Sequence, residues 1–395
     1  MGFFSALFEF SEDASCYYKN QASLFKIASF HEVSESKHGS YFREHCEFLL
    51  SDETKVSAGV FSMPSLMELR ENVHEVLNDP STGIISRHDL TRRIRVRNMI
   101  GEARSLHTSD EVKNTSSEHQ KRPPVVIQAA SQFNMLEFPS PSAVPESGIS
   151  TYIYDRTQGP ACAVACAAGT AYRNYLVPVP FGPTTNDEIK SRRRGQTRER
   201  QLNGLSDVEE YLAQDAGLGK SPWRVKNGYV ESSVSELKLL NRMLSDSDNK
   251  LSEGLISRVR IGIQENTTVT DDRSWNTRVT QTYNSAMSIG YSSLPGDLWQ
   301  AVSQIILEAT YEATLLVGVL HSHGAQLPPP IVFLTKIGGG VFQNKDTWIR
   351  CAMMNAIKKV EKYGVPLDVR IVHFGTIDKD YVELENIDTL QKDEL

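Results

Sequence analysis

Three consecutive glycines, Gly338-Gly339-Gly340, stand between the apolar run Ile331-Val332-Phe333-Leu334 and a stretch of helical periodicity over residues 345–363. A strand, a glycine turn and a helix start in that order form an anion site. Glycine lets the backbone approach a ligand without a Cβ in the way, and the free N–H groups of the turn and first helical turn point at negative charge. A diphosphate is the natural guest, although a tight βα turn that binds nothing would carry the same letters. A P-loop is excluded, because the triplet continues into Val341 and Phe342 rather than Gly-Lys-Ser/Thr. So is a dinucleotide fingerprint, which needs G-x-G-x-x-G in the first βα turn.

A second composition suited to a ligand follows Val125-Val126-Ile127, a buried-strand run. Gln128-Ala129-Ala130-Ser131-Gln132-Phe133-Asn134-Met135-Leu136-Glu137 puts small residues, amides and a hydroxyl at the C-terminal end of that strand. Amides both donate and accept, which suits ribose hydroxyls and base edges. A polar loop that satisfies only its own backbone reads the same way. Some twenty residues later Tyr152-Ile153-Tyr154-Asp155-Arg156-Thr157-Gln158-Gly159-Pro160 leads into a helix of small residues at 161–172, able to pack closely on a sheet.

The elements that must position these loops alternate. Helices are predicted near 65–76, 207–214, 235–244 and 295–321, and strands near 258–263, 277–283, 331–334 and 367–373. That alternation argues for an α/β layered fold. Residues 1–60 show no clear periodicity. Residues 108–124 and 180–204 read as polar loops, the latter with Lys190-Ser191-Arg192-Arg193-Arg194, Arg198 and Arg200. This basic run is a solvated insertion, a nuclear address or a contact for an acidic partner.

Composition narrows the function classes. The 395 residues carry a net charge of −7 with 23% charged residues, which argues against a dedicated nucleic-acid binder. Five cysteines, at 16, 46, 162, 166 and 351, are an odd and scattered set that reads as reduced thiols. Cys162 and Cys166 lie four apart on a helix, and His321 and His323 have no cysteine near them, so neither a metal nor any other cofactor is expected. The longest apolar stretch, 298–320, contains Gln300, Gln304, Glu308 and Glu312 and reads as a buried helix rather than a membrane span. The start, Met1 to Ala6, lacks a basic region and a myristoylation serine or threonine. The terminal Lys392-Asp393-Glu394-Leu395 is read as a coincidental match to an ER-retention signal, so a cytoplasmic location is expected.

Taken together, Gln128-Ala129-Ala130-Ser131-Gln132-Phe133-Asn134, then Tyr154 to Pro160, then Ile337-Gly338-Gly339-Gly340-Val341-Phe342 resemble the macrodomain family, in particular the divergent branch typified by the effector MavL. Val279-Thr280-Gln281-Thr282-Tyr283 and Tyr311-Glu312-Ala313-Thr314 match further segments of that branch. The likeness spans roughly residues 60–376. It departs from ordinary macrodomains in having Gln128 and Ser131 for the asparagine pair, Thr157-Gln158-Gly159 for the first glycine loop, and a long insertion between the ligand loops.

The resemblance implies an α/β, macrodomain-like mixed sheet sandwiched by helices, with a long and largely helical insertion at about 175–275. It implies a domain over 61–376, an N-terminal extension over 1–60 and a polar tail over 377–395. It also implies an ADP-ribose site: Gln128, Ser131, Asn134, Thr157, Gln158, Gly159, Gly338, Gly339, Gly340, Val341, Phe342 and Asn344 would touch the ligand. Hydrolysis of the bond between ADP-ribose and a protein side chain, arginine in this branch, needs a carboxylate as acid or base. Asp155, in the loop facing the ligand, and Glu312, costly in its apolar helix unless partnered, are the candidates, with Asp346 next. Partners would be ADP-ribose and ADP-ribosylated proteins, ubiquitin among them. A non-catalytic reader of ADP-ribose would need the same loops, and an enzyme acting on a free nucleotide diphosphate is a third reading.

Overall fold

A computed structural model describes residues 27–38, 41–50, 55–79, 94–113, 123–179, 194–247, 249–272, 274–322 and 328–386. The apolar start of the chain, most of the polar loop at 108–124, the basic residues up to 193, His323 and the last nine residues lie outside them. The strands are β1 (Ile27–His38), β2 (Tyr41–Leu50), β3 (Lys55–Ser62), β4 (Arg95–Ile100), β5 (Val125–Ala130), β6 (Trp223–Lys226), β7 (Tyr229–Ser232), β8 (Gly262–Thr268), β9 (Arg278–Asn284), β10 (Ile331–Leu334) and β11 (Asp368–His373). The main helices are α1 (Leu66–Asn78), α2 (Gln158–Ala165), α3 (Ala167–Tyr175), α4 (Ser206–Gln214), α5 (Val234–Asp246), α6 (Lys250–Ile256), α7 (Gln300–Leu320) and α8 (Asp346–Glu361).

Nine strands form one mixed sheet in the order β1-β2-β3-β8-β9-β5-β10-β11-β4. From β9 to β4 every pairing is parallel. From β1 to β9 every pairing is antiparallel. The parallel half explains the unbroken apolar runs of β5 and β10, since helices cover both of its faces. Successive side chains on a strand alternate between faces. Val126, Val332 and Leu334 share a core with α1, α7 and α8, whereas Val125, Ile127 and Phe333 pack with Cys166 at the end of α2. Helix α1 opens with Ser65 and Glu68 bonded reciprocally, a capping box that satisfies two otherwise orphaned N–H groups.

The mixed sheet between helical layers is as the resemblance implied, but the boundaries differ. Residues 27–62, read without periodicity, supply the three antiparallel strands of one sheet edge. The insertion contains α4, the β6–β7 hairpin, α5 and α6, yet residues 262–268 return as β8, paired with β3 and β9 in the main sheet. The tail is not simply polar, because Lys379–Asn386 forms a 3-10 helix whose Tyr381 and Leu384 are fully buried. The amide of Asn98 on β4 donates to the Tyr381 carbonyl at 3.0 Å. Helix α7 is long and apolar enough to cross a membrane, but it is buried inside the protein, packed against α1, α8 and the sheet.

Candidate active site

A cavity of about 210 Å³ opens where the neighbouring parallel strands β9, β5 and β10 end, and the loop after each strand contributes to its wall. The C-terminal edge of parallel strands is the usual place for a ligand in an open α/β sheet.

The loop after β10 is bent by Gly338, at φ +73°, where an added Cβ would lie 2.5 Å from the Ala286 Cβ. Asn344 closes the bend: its backbone N–H donates to the Gly338 carbonyl at 3.0 Å and its amide donates to the Met287 carbonyl at 2.9 Å. Tyr311 on α7 holds the loop's start, donating to the Thr335 carbonyl at 2.7 Å and accepting from the Ile337 N–H at 3.0 Å. Gly340 lines the cavity, and nothing lies within 4 Å of where its Cβ would stand. Phe342 packs against Tyr229 of β7 and Tyr291 of the loop after β9, with ring centroids 5.6 and 5.9 Å away. All three rings line the cavity.

The facing wall comes from Asp155 and residues 157–160. One oxygen of Asp155 accepts from the backbone N–H and the hydroxyl of Thr157, at 2.8 and 2.7 Å, which fixes the carboxylate in an Asx turn at the start of α2. The Gln158 amide donates to the Gln128 carbonyl at 2.7 Å and accepts from the Ala130 N–H at 2.8 Å, so it acts as a strand partner for the end of β5. Gly159 lies so close to β5 that an added Cβ would be 2.4 Å from the Ala130 carbonyl oxygen. In the first turn of α2 the Thr157 N–H is taken by Asp155 and Pro160 has none, so the N–H groups of Gln158 and Gly159 are the ones without a preceding helical turn to bond to.

Glu137, from the loop after β5, is 1% exposed on the cavity wall. Its Oε1 accepts from Arg173 Nη2 at 2.7 Å, and its Oε2 is buried with no hydrogen-bond partner. Arg173 is itself fully buried; it donates from Nε to the Met135 carbonyl at 2.8 Å and lies over the Tyr283 ring at 3.4 Å. Burial pushes the Glu137 carboxyl up, Arg173 pulls it part of the way back, and it is left at about 7. Lys336 brings a cation to the wall, paired with Asp346 and Asp378 at 2.9 and 2.8 Å.

Ser131, Asp155, Thr157, Gln158, Gly159, Gly338, Gly340, Val341 and Phe342 thus come together around one cavity. Five expected residues do not line it. Gln128 points to the opposite face of β5 from Ala129, is fully buried, and bonds Thr314 on α7 and the Thr335 N–H. Gly339 faces Ile349 of α8, 3.1 Å from its would-be Cβ, and Asn344 is spent closing the loop.

Asn134 is also fully buried, donating to Gln201 at 2.8 Å and accepting from the Leu136 N–H at 3.1 Å. Asn134→Ala is therefore expected to cost about 1–3 kcal/mol, as buried polar partners lose their bonds. It should leave ADP-ribose affinity unchanged. Urea unfolding beside calorimetric titration separates the two effects.

Glu312 is the main correction. On α7 a step of 100° per residue puts Tyr311 and Thr314 toward the sheet and turns Glu312 toward α1 and α8. There the carboxylate is 2% exposed and held bidentately by Arg70, at 2.6 and 2.9 Å, with Lys359 at 3.5 Å. Glu308, one turn earlier, pairs with Lys359 at 2.5 Å. These charges tie three helices together away from the cavity. Glu312→Ala is expected to lower stability by about 3 kcal/mol, the lower end for breaking a buried pair, because Arg70 is 22% exposed and keeps Glu253. Turnover per folded molecule should not change, which unfolding curves and rates measured well below the midpoint would check.

Tyr229, Tyr291 and Lys336 line the cavity without any sign in the sequence that they would, and Gln132 and Glu137 line it from the strand-end run where no role was expected of either. Glu137 left one trace, a lone charge inside the apolar run Met135-Leu136-Glu137-Phe138. Tyr229 left none, because it reaches the cleft from a hairpin in the insertion.

No protein-family model matches this chain, and no curated protein does. Among solved structures it is similar to the poly(ADP-ribose) glycohydrolase of Deinococcus radiodurans in complex with ADP-ribose, at 10% identity and a TM-score of 0.40, over 84% of this chain and 95% of that one. It is also similar to the poly(ADP-ribose) glycohydrolase of Thermomonospora curvata, at 9% identity and a TM-score of 0.38, over 86% and 92%. Neither likeness assigns an activity to this chain. Its own fold and cleft define an α/β protein with a glycine loop, a cluster of aromatic rings and two carboxyl groups on one cavity.

Proposed function

We propose that this chain binds ADP-ribose in the cleft and hydrolyses the N-glycosidic bond that joins it to an arginine side chain of a modified protein. The observation that carries this reading is the shared cavity wall: the glycine loop after β10, the start of α2 and the Asp155 carboxylate all face one space. Backbone N–H groups from the first two suit a diphosphate. The rings of Tyr229, Tyr291 and Phe342 suit flat or apolar parts of the ligand. The arginine linkage comes from the MavL-like motifs and not from the cavity.

Size supports an attached substrate. The cavity is smaller than the roughly 300–1,000 Å³ of pockets that enclose a drug-sized molecule. Part of ADP-ribose would fit inside, and the rest would run out past Tyr291 and Val341, which are 44% and 55% exposed. ADP-ribose is the molecule in the Deinococcus structures, whose enzyme is named for a polymer; what supports it here is this chain's cleft and motifs.

In the reaction, water adds to the anomeric carbon of the distal ribose while the carbon–nitrogen bond to the guanidine breaks. Asp155 takes a proton from the water, and the departing nitrogen, which keeps the electron pair of the broken bond, takes up a proton. The test uses proteins, ubiquitin among them, ADP-ribosylated separately on arginine, glutamate and serine, with released ADP-ribose followed over time. Release from the arginine-linked protein is expected. Release only from ester or serine linkages would refute the arginine assignment, and binding without release from any of them would make the protein a reader.

A further inference from the structure

Resting on that hydrolase reading, we infer that Glu137 is a second catalytic carboxylate, the general acid that gives the departing guanidine nitrogen its proton. Asp155 is fixed by Thr157 in a turn at the cavity wall and is partly exposed to water, which suits a group that activates water. Glu137 has the opposite setting. It is 1% exposed, one oxygen is anchored by a fully buried arginine, and the other is unpartnered on a residue of the same wall. A buried polar atom without a partner is uncommon in a folded protein and has to be accounted for. Arg173 Nη1 and the Tyr152 hydroxyl are buried without partners as well; a substrate nitrogen reaching Oε2 from the cavity wall would give it one.

Two carboxyl groups on one cavity, one buried and one open to water, are the usual arrangement for an acid and base pair on one glycosidic bond. The balance closes. The Glu137 Oε2–H bond breaks as the N–H bond forms, and the anomeric C–N bond breaks as the water oxygen bonds to carbon. The water's proton goes to Asp155, and both carboxyl groups reset by exchange with solvent once the product leaves.

The groups facing Glu137 leave its titration visible. Arg173 on α3 cannot lose its proton. Tyr152 of the Ser150–Tyr154 turn, Cys162 on α2 and Tyr283 on β9 are all pushed up by burial, away from neutrality. An acid must be protonated to act, so wild-type kcat on arginine-linked substrate should fall as pH rises through about 7. Glu137→Gln should lower kcat by about 10²–10⁴-fold and abolish that alkaline fall, with ADP-ribose affinity within a few-fold of wild type. Glu137→Asp should recover part of the rate together with the alkaline fall, which a purely structural glutamate would not require. Asp155→Asn should leave the alkaline fall in whatever rate remains.

The measurements are kcat from pH 5 to 9, ADP-ribose titration and thermal unfolding for the full chain and each variant. A Glu137→Gln protein with wild-type kcat, or a wild-type profile flat from pH 6 to 8, overturns the role of Glu137 and leaves the hydrolase reading standing. The second result needs no variant to fold. Wild-type protein that releases no ADP-ribose from any substrate overturns both.

Discussion

Asp155→Asn is expected to reduce turnover on arginine-linked ADP-ribose by about 10²–10⁴-fold, the scale for losing an acid–base group, with little change in ADP-ribose binding. The substitution is conservative where the fold is concerned. The carboxylate oxygen that accepts from the Thr157 N–H and hydroxyl would be replaced by an amide oxygen that accepts the same bonds, so the turn into α2 should survive. What is lost is the second oxygen's ability to take a proton from water. Single-turnover release of ADP-ribose, measured beside calorimetric titration, separates this from a binding defect. A variant that turns over at the wild-type rate would put the base elsewhere. Asp346, next in line from the sequence, is a poor substitute, since its carboxylate is held by Lys336 at 2.9 Å and by the Tyr381 hydroxyl at 3.1 Å.

Gly340→Glu is expected to weaken ADP-ribose binding by about 1,000-fold while leaving the fold intact. Nothing lies within 4 Å of the would-be Cβ and the backbone there is not left-handed, so a side chain can be accommodated. The new carboxylate would stand in the cavity beside the expected diphosphate. Two like charges about 4 Å apart near a protein surface repel by about 4 kcal/mol, close to three decades of affinity. The neighbouring glycines make the comparison informative. Gly339→Glu would push against Ile349 rather than into the cavity and should weaken binding far less. Gly338→Ala would place a Cβ 2.5 Å from the Ala286 Cβ at φ +73°, so it should destabilise the loop itself. Titration of all three proteins with ADP-ribose, with melting curves, reads out the order. Equal affinity of Gly340→Glu and wild type would take the glycine loop out of the site.

Much of the α/β layering was legible because strand and helix periodicities differ and the buried parallel strands are unbroken apolar runs. The strand at 331–334 and the helices near 207–214 and 235–244 were readable from pattern and end signals alone. The antiparallel edge at residues 27–62 was not, because its pattern carries no helical period and nothing local says which strand it will pair with. The first strand of the return from the insertion was placed early for a related reason. Arg260, whose apolar neighbours suggested a strand, is taken up by Glu68 and Asp207 from two helices before β8 begins.

By itself the sequence determined which loops come together on the cavity. Glycines at close approaches, a turn-forming aspartate and a run of small residues at a strand end are local requirements of backbone geometry, and local requirements are written in local letters. The tertiary structure decided which side chains in those loops face the cavity. Gln128 and Asn134 have the composition of ligand contacts, yet strand alternation and a tight turn send their amides into the protein. Glu312 and Glu137 show the same division more sharply, since each is a carboxylate in apolar sequence with an arginine partner distant along the chain. One is turned by helical rotation toward α1 and satisfied twice over, and the other is left on the cavity wall with one oxygen free. Burial and partnership depend on contacts between residues far apart in sequence, and only the packed sheet and helices bring those contacts into being.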